Sequence, residues 1–78
     1  MCKELLETIA RNLVDDPEAV RVTTREAQDD TVVLELRVAP DDMGRVIGKQ
    51  GKIAKAIRAV IKAAATKENV KVQVDIVD

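Results

Sequence analysis

In the run VIGKQGK, over residues 46–52, Gly48 and Gly51 enclose Lys49 and Gln50, and Lys52 follows directly. Glycine accepts positive φ, so the chain can turn sharply there, and without a β-carbon a bulky anion can come close to the backbone N–H groups. If a helix begins just after the loop, its unsatisfied N–H donors form a ready site for an anion. Lys49 and Lys52 would add charge at that point, and Gln50 a neutral donor and acceptor. This is chemistry for gripping a phosphodiester backbone. Cleaving one would need other groups.

Those groups are missing from the sequence. It has no histidine and one cysteine, Cys2, so it has neither a disulfide nor the ligand set of a zinc or iron–sulfur site. No paired carboxylates flank the basic loop, and GKQGK lacks the GxxxxGK[ST] spacing of a nucleotide-binding P-loop. The expectation is a binding protein that is not an enzyme and carries no cofactor. No apolar run reaches the length of a membrane span. The stretch MCKELLETIARNLVDD is interrupted by Glu4, Glu7 and Arg11, unlike a signal peptide. A cytoplasmic location follows as the expectation.

Charge singles out the same region. The net charge is only −1, yet residues 43–67 hold Arg45, Lys49, Lys52, Lys55, Arg58, Lys62 and Lys67 and no acid. The remaining sequence carries six basic residues against fourteen acids, a balance of −8. A basic block around a glycine pair suits an anionic partner, and the acidic remainder opposes indiscriminate binding to nucleic acid.

The elements that must position the loop follow from periodicity. Leu5, Leu6, Ile9 and Leu13 recur at helical spacing, and Asp16-Pro17 ends that helix near Asp15. Residues 19–27 and 31–39 alternate as two strands around the turn residues Gln28-Asp29-Asp30, a hairpin pattern. Val32, Leu34, Leu36 and Val38 share one face of the second strand. Pro40 stops that strand, and Asp41 and Asp42 are placed to cap a short helix, Met43 to Ile47. Beyond the loop, Ile53, Ile57, Val60/Ile61 and Ala64 mark a second long helix, and Val70, Val72, Val74 and Ile76 a third strand. At 78 residues with Val, Ile and Leu but no aromatic side chain, residues 1–78 read as one domain with a thin core.

Taken alone, two glycines three apart describe a tight turn between helices better than they describe a binding site. The surroundings reverse that reading. Gly44-Arg45-Val46-Ile47-Gly48-Lys49-Gln50-Gly51-Lys52-Ile53 resembles the KH-domain signature, VIGxxGxxI in outline, with Ile53 one place ahead of the last aliphatic position, which falls on Ala54. The order αββααβ resembles the prokaryotic type II KH arrangement, an α+β fold with a three-stranded sheet packed against three helices. A free-standing unit of this size is similar to the bacterial KH-domain protein A family (KhpA). Its members are described as cytoplasmic RNA-binding proteins and RNA chaperones, which self-associate or pair with a larger KH-containing RNA-binding protein.

The resemblance implies a site. In KH domains the GxxG loop clamps about four nucleotides of single-stranded RNA or DNA. Carried over, Gly48, Lys49, Gln50 and Gly51 form the clamp, Arg45, Val46 and Ile47 lead into it, and Lys52, Ile53 and Lys55 follow it. Leu36, Arg37 and Val38 would supply the opposite wall. Aromatic stacking is not required of such a groove, so the lack of rings is compatible with it. Lys52, Lys55, Arg58 and Lys62 share one helix face, on which Arg58 and Lys62 read as solvated charges rather than ligands. The alanine-rich helix suggests a dimer interface with Ile61 at its edge. The implied partners are single-stranded RNA and a second copy or a larger KH-containing protein, with no membrane. Two other readings are a subunit that chiefly docks a protein and a ribosome-associated factor.

Overall fold

The computed structural model describes residues 2–77. Its elements are α1 (Cys2–Leu13), β1 (Arg21–Glu26), β2 (Thr31–Arg37), α2 (Met43–Ile47), α3 (Lys52–Lys67) and β3 (Lys71–Ile76). This is the expected αββααβ order, with the three helices on one face of a three-stranded sheet.

Helix α1 buries Leu6 and Ala10 completely, and Leu5, Ile9 and Leu13 pack against the same core. Strands β1 and β2 pair antiparallel, with Val22 opposite Leu36 and Thr24 opposite Leu34. The hairpin turn uses positive φ at Asp29 and Asp30, a conformation that short polar side chains tolerate. After α2 and α3 the chain returns to lay β3 parallel to β2, with Leu34 opposite Val74 and Leu36 opposite Ile76. The sheet order β1-β2-β3 therefore puts β2 at the centre.

Three details depart from the periodicity. The buried stripe of α3 is Ala54, Ile57, Ile61 and Ala65, while Val60 is 49% exposed and Ile53 half-buried. Of the expected Ile53, Ile57, Val60/Ile61 and Ala64, the stripe keeps Ile57 and Ile61, and Ala54 and Ala65 take the inward positions in place of Ile53 and Ala64. On β2, Val33 is buried although it points away from the helices. Its register partners are Arg25 and Gln73, long side chains whose stems shield an apolar neighbour on a central strand.

The third departure concerns Asp42, expected to cap α2. No side chain caps that helix. Asp42 is instead buried, and its carboxylate accepts the backbone N–H groups of Asp15 at 3.2 Å and Asp16 at 3.1 Å. Arg45 Nε completes the set at 3.2 Å. A charge so deeply buried needs such partners. They tie the start of α2 to the chain leaving α1 and so fix where the glycine loop emerges.

Candidate nucleic-acid interface

Helix α2 ends at Gly48, whose N–H bonds Gly44 O at 2.9 Å and whose φ is 74°. A tight turn over Lys49–Gly51 follows, with Gly51 N–H bonded to Gly48 O at 3.1 Å. Three of the four loop residues, Gly48, Gln50 and Gly51, have positive φ. For Gln50 that conformation costs about 1–2 kcal/mol relative to the right-handed region. The loop therefore stands as a bend with the N-terminus of α3 directly behind it, and no side chain caps that terminus. The N–H groups of Gly51 and Lys52 are taken by Gly48 O and Lys49 O, and the helix dipole and the exposed Lys49, Gln50 and Lys52 converge on one surface.

The two glycines do different work. A β-carbon on Gly48 would fall 2.5 Å from Ile53 Cγ1, so the loop entry packs directly on the first turn of α3. At Gly51 nothing lies within 4 Å of a β-carbon position, so only its φ of 74° favours glycine, and the space stays open for a ligand.

The residues named from the sequence separate into groups. Lys49, Gln50, Lys52 and Lys55 are exposed, and Gly48, Gly51 and Ile53 are half-buried around them. Among the described residues no acid lies within ion-pair distance of Lys49, Lys52 or Lys55. Arg45 is also exposed, but its guanidinium is engaged by Asp15 at 2.8 Å as well as by Asp42. Ile47 is 37% exposed beside the loop, while Val46 is fully buried and supports the loop from within.

The expected opposite wall needs correction. Leu36 has no exposed surface, and Val38 packs against the core. Arg37 is exposed on the sheet face turned from the helices. Because β2 is central, the strand that flanks α3 is β3, and Arg58 Nε bonds the Val74 carbonyl at 3.2 Å across that junction. The parallel return of β3 beside β2 is a relationship that hairpin spacing does not reveal. Ile61, expected at an interface, is likewise fully buried, and Val60 is the large apolar residue that α3 exposes.

Helix α3 thus has three faces. Ala54, Ile57, Ile61 and Ala65 enter the core. Toward α1, Ile53, Ala56 and Val60 line an apolar groove of about 550 Å³ with Leu5, Ile9 and Leu13. Toward β3, Arg58 and Lys62 border a cleft of about 670 Å³. Among the described residues no group of side chains could hold a metal ion, and no helix is long and apolar enough to cross a membrane.

Comparison with known proteins agrees with this geometry. The family model described as KhpA/KhpB, KH domain, matches residues 3–76. The RNA-binding protein KhpA of Clostridium acetobutylicum is 61% identical over 75 residues, covering 96% of this chain and 99% of that protein. The RNA-binding protein KhpA of Clostridium perfringens is 60% identical with the same coverage. Among solved structures, Era in complex with MgGDPNP and nucleotides 1506–1542 of 16S ribosomal RNA superposes with a TM-score of 0.66 at 19% identity. That match covers 97% of this chain and 30% of the Era chain, and it shows a shared fold.

Proposed function

The chain belongs to the KhpA/KhpB family of KH domains, and on that premise we propose that it binds single-stranded RNA through the Gly48–Gly51 loop. The observation that carries this reading is the convergence of an α3 N-terminus without a side-chain cap, a loop shaped by positive φ, and Lys49, Lys52 and Lys55, which have no ion-pair partner among the described residues. The names of its relatives, RNA-binding proteins that match this chain over nearly their whole length, support the same ligand class.

In this account the phosphates lie against the N–H groups of the loop and of the first turn of α3, with Lys49 and Lys52 compensating their charge. Gln50 and the exposed edge of Ile47 meet the sugar or base. Val46 and Ile53 hold the loop in place, and Arg45 acts on RNA only so far as Asp15 releases it. The protein works as an intracellular RNA chaperone or regulator without catalysis.

A four-nucleotide footprint gives weak binding, so avidity from a second copy or a larger KH-containing protein supplies useful affinity. The apolar groove between α1 and α3 supports such pairing, since exposed apolar surface of this kind marks interaction sites.

The test is a titration with a single-stranded tetranucleotide followed by backbone amide NMR. The largest shifts are expected at Gly48 through Lys52. Shifts confined to the outer sheet face, around Arg21, Arg25 and Arg37, would reject the loop as the site.

A further inference from the structure

Strand β1 ends the sheet on one side, and the phase of its ladder with β2 shows which of its backbone groups are left over. Ala27 N–H bonds Thr31 O at 2.8 Å where the hairpin closes. Bonded and unbonded pairs alternate in an antiparallel ladder, so Arg25 with Val33, Thr23 with Glu35 and Arg21 with Arg37 exchange hydrogen bonds. The intervening Val22–Leu36 pair does not, and Leu36 O accepts from Val77 N–H on its other side at 3.0 Å. The N–H and C=O groups of Val22, Thr24 and Glu26 therefore point away from β2, and no strand among the described residues pairs with them.

The two edges of the sheet differ. On β3, Arg58 Nε already bonds the Val74 carbonyl at 3.2 Å. Strand β1 has no proline, its six pairs run without a bulge, and Thr23, Thr24, Arg25 and Glu26 are exposed. Such an edge is a template for one more strand, and charge is the safeguard it keeps. Arg21 and Arg25 share the outer face of the strand with Thr23, while Glu26 lies on the other face at the strand's end. Arg25 pairs with Glu35 and Asp75, but Arg21 has no ion-pair partner among the described residues and stands opposite Arg37. A second copy pairing along this edge would bring the arginines of both chains side by side or diagonally together, which opposes it. An acidic strand meets the reverse situation: a carboxylate opposite Thr23 lies diagonally between Arg21 and Arg25, within reach of both.

We infer that the β1 edge docks an extended acidic segment of a partner protein, added as a fourth strand with carboxylates at alternate positions. Backbone bonds to Val22, Thr24 and Glu26 supply the attachment, and Arg21 and Arg25 select the charge. RNA is the competing ligand for these arginines. It is disfavoured because Glu35 and Asp75 share the outer face and the open edge presents carbonyl oxygens, which repel phosphate.

The probe is the capped peptide Glu-Thr-Glu-Val-Glu, titrated into the full chain and followed by backbone amide NMR. Paired antiparallel, it sets its three carboxylates opposite Arg25, Thr23 and Arg21, and its valine opposite Val22. The amides of Val22 and Thr24 should shift and gain protection from hydrogen exchange. Lys-Thr-Lys-Val-Lys should bind about tenfold more weakly, and Arg21→Glu, its fold checked by circular dichroism, should weaken the acidic peptide about fivefold. N-methylation of the peptide's threonine and valine removes the donors that meet β1 without changing charge, and it should abolish binding. No response of Val22 and Thr24 at millimolar peptide overturns the inference. So does an equal response to the N-methylated peptide, which would reduce the contact to charge on the outer face. A single-stranded tetranucleotide that moves these amides in place of the peptide would make the edge a nucleic-acid face. Protection of the same amides in the free protein, rising with its concentration, would put a second copy there. Either result also overturns the inference.

Discussion

The side chain of Ile53 fills the space that a β-carbon on Gly48 would occupy, with Cγ1 at 2.5 Å, Cβ at 2.8 Å and Cδ1 at 2.9 Å from that position. Loop entry and helix start are thereby packed into one unit. The same contact accounts for an aliphatic residue one place early in the motif. Ala54 takes the inward position, and Ile53 is freed to lie against the glycine and the groove toward α1.

Gly48→Ala therefore meets two penalties, a positive φ and an overlap with Ile53. The expected loss is about 2–4 kcal/mol, combining the strain of an extended positive-φ conformation that only glycine adopts readily with overpacking. Urea denaturation would measure it. In the Gly48→Ala/Ile53→Ala double variant Cγ1 and Cδ1 are gone but the β-carbon at position 53, 2.8 Å away, remains, so the overlap is only partly relieved and the two effects should fall short of additive by about 0.5 kcal/mol. Strict additivity would show that Ile53 moves aside at no cost. Gly51→Ala, with open space around it, should lose only about 1 kcal/mol.

Asp42→Asn removes the charge that two backbone N–H groups and Arg45 share in a buried position. A loss of about 2–4 kcal/mol is expected from breaking this set. Arg45→Gln should cost less than Asp42→Asn, because the two backbone N–H donors to the buried carboxylate remain and the pair with Asp15 is exposed. Thermal melts of both variants distinguish the two magnitudes. Equal losses would mean that the ion pair, rather than the buried carboxylate, holds α2 in place.

Ile61→Ala should destabilise by about 2–4 kcal/mol, as an aliphatic side chain deleted from a closed core does. Any change in self-association it causes would then report unfolding. Val60→Asp, at a half-exposed position, should stay within about 1 kcal/mol of wild type and is the variant that tests the α1 side of α3 as an interface. Sedimentation together with circular dichroism separates loss of fold from loss of contact.

Much of this could be read from the sequence, because element order is written in periodicity and turn chemistry. The strands, the short helix Met43–Ile47 and the glycine loop stand where spacing and punctuation put them. The alternation on β2 correctly predicts which of its residues reach the core. It carries no information about what lies beside that strand, so it does not reveal that Leu36 is fully covered or that β3 returns next to α3. Asp42 departs from its sequence pattern for a related reason. An acid before a helix looks like a cap, and only the tertiary approach of Asp15 and Asp16 shows that it serves another segment. Val60 and Ile61 differ by about 100° on the helix, and periodicity alone could not decide which of them α3 buries.

The most direct test of the central claim is the affinity of a short single-stranded RNA, measured at several salt concentrations, for wild type and for Lys49→Asp/Gln50→Asp. Aspartate tolerates the left-handed conformation at position 50, so the loop should keep its shape while its charge reverses. Circular dichroism of both proteins confirms the fold. A grip on three or four phosphates gives a wild-type log–log salt slope of roughly −2 to −3, with binding abolished in the variant. Equal binding by the two proteins at every salt concentration would contradict the account, because the glycine loop would then be only the turn that joins α2 to α3.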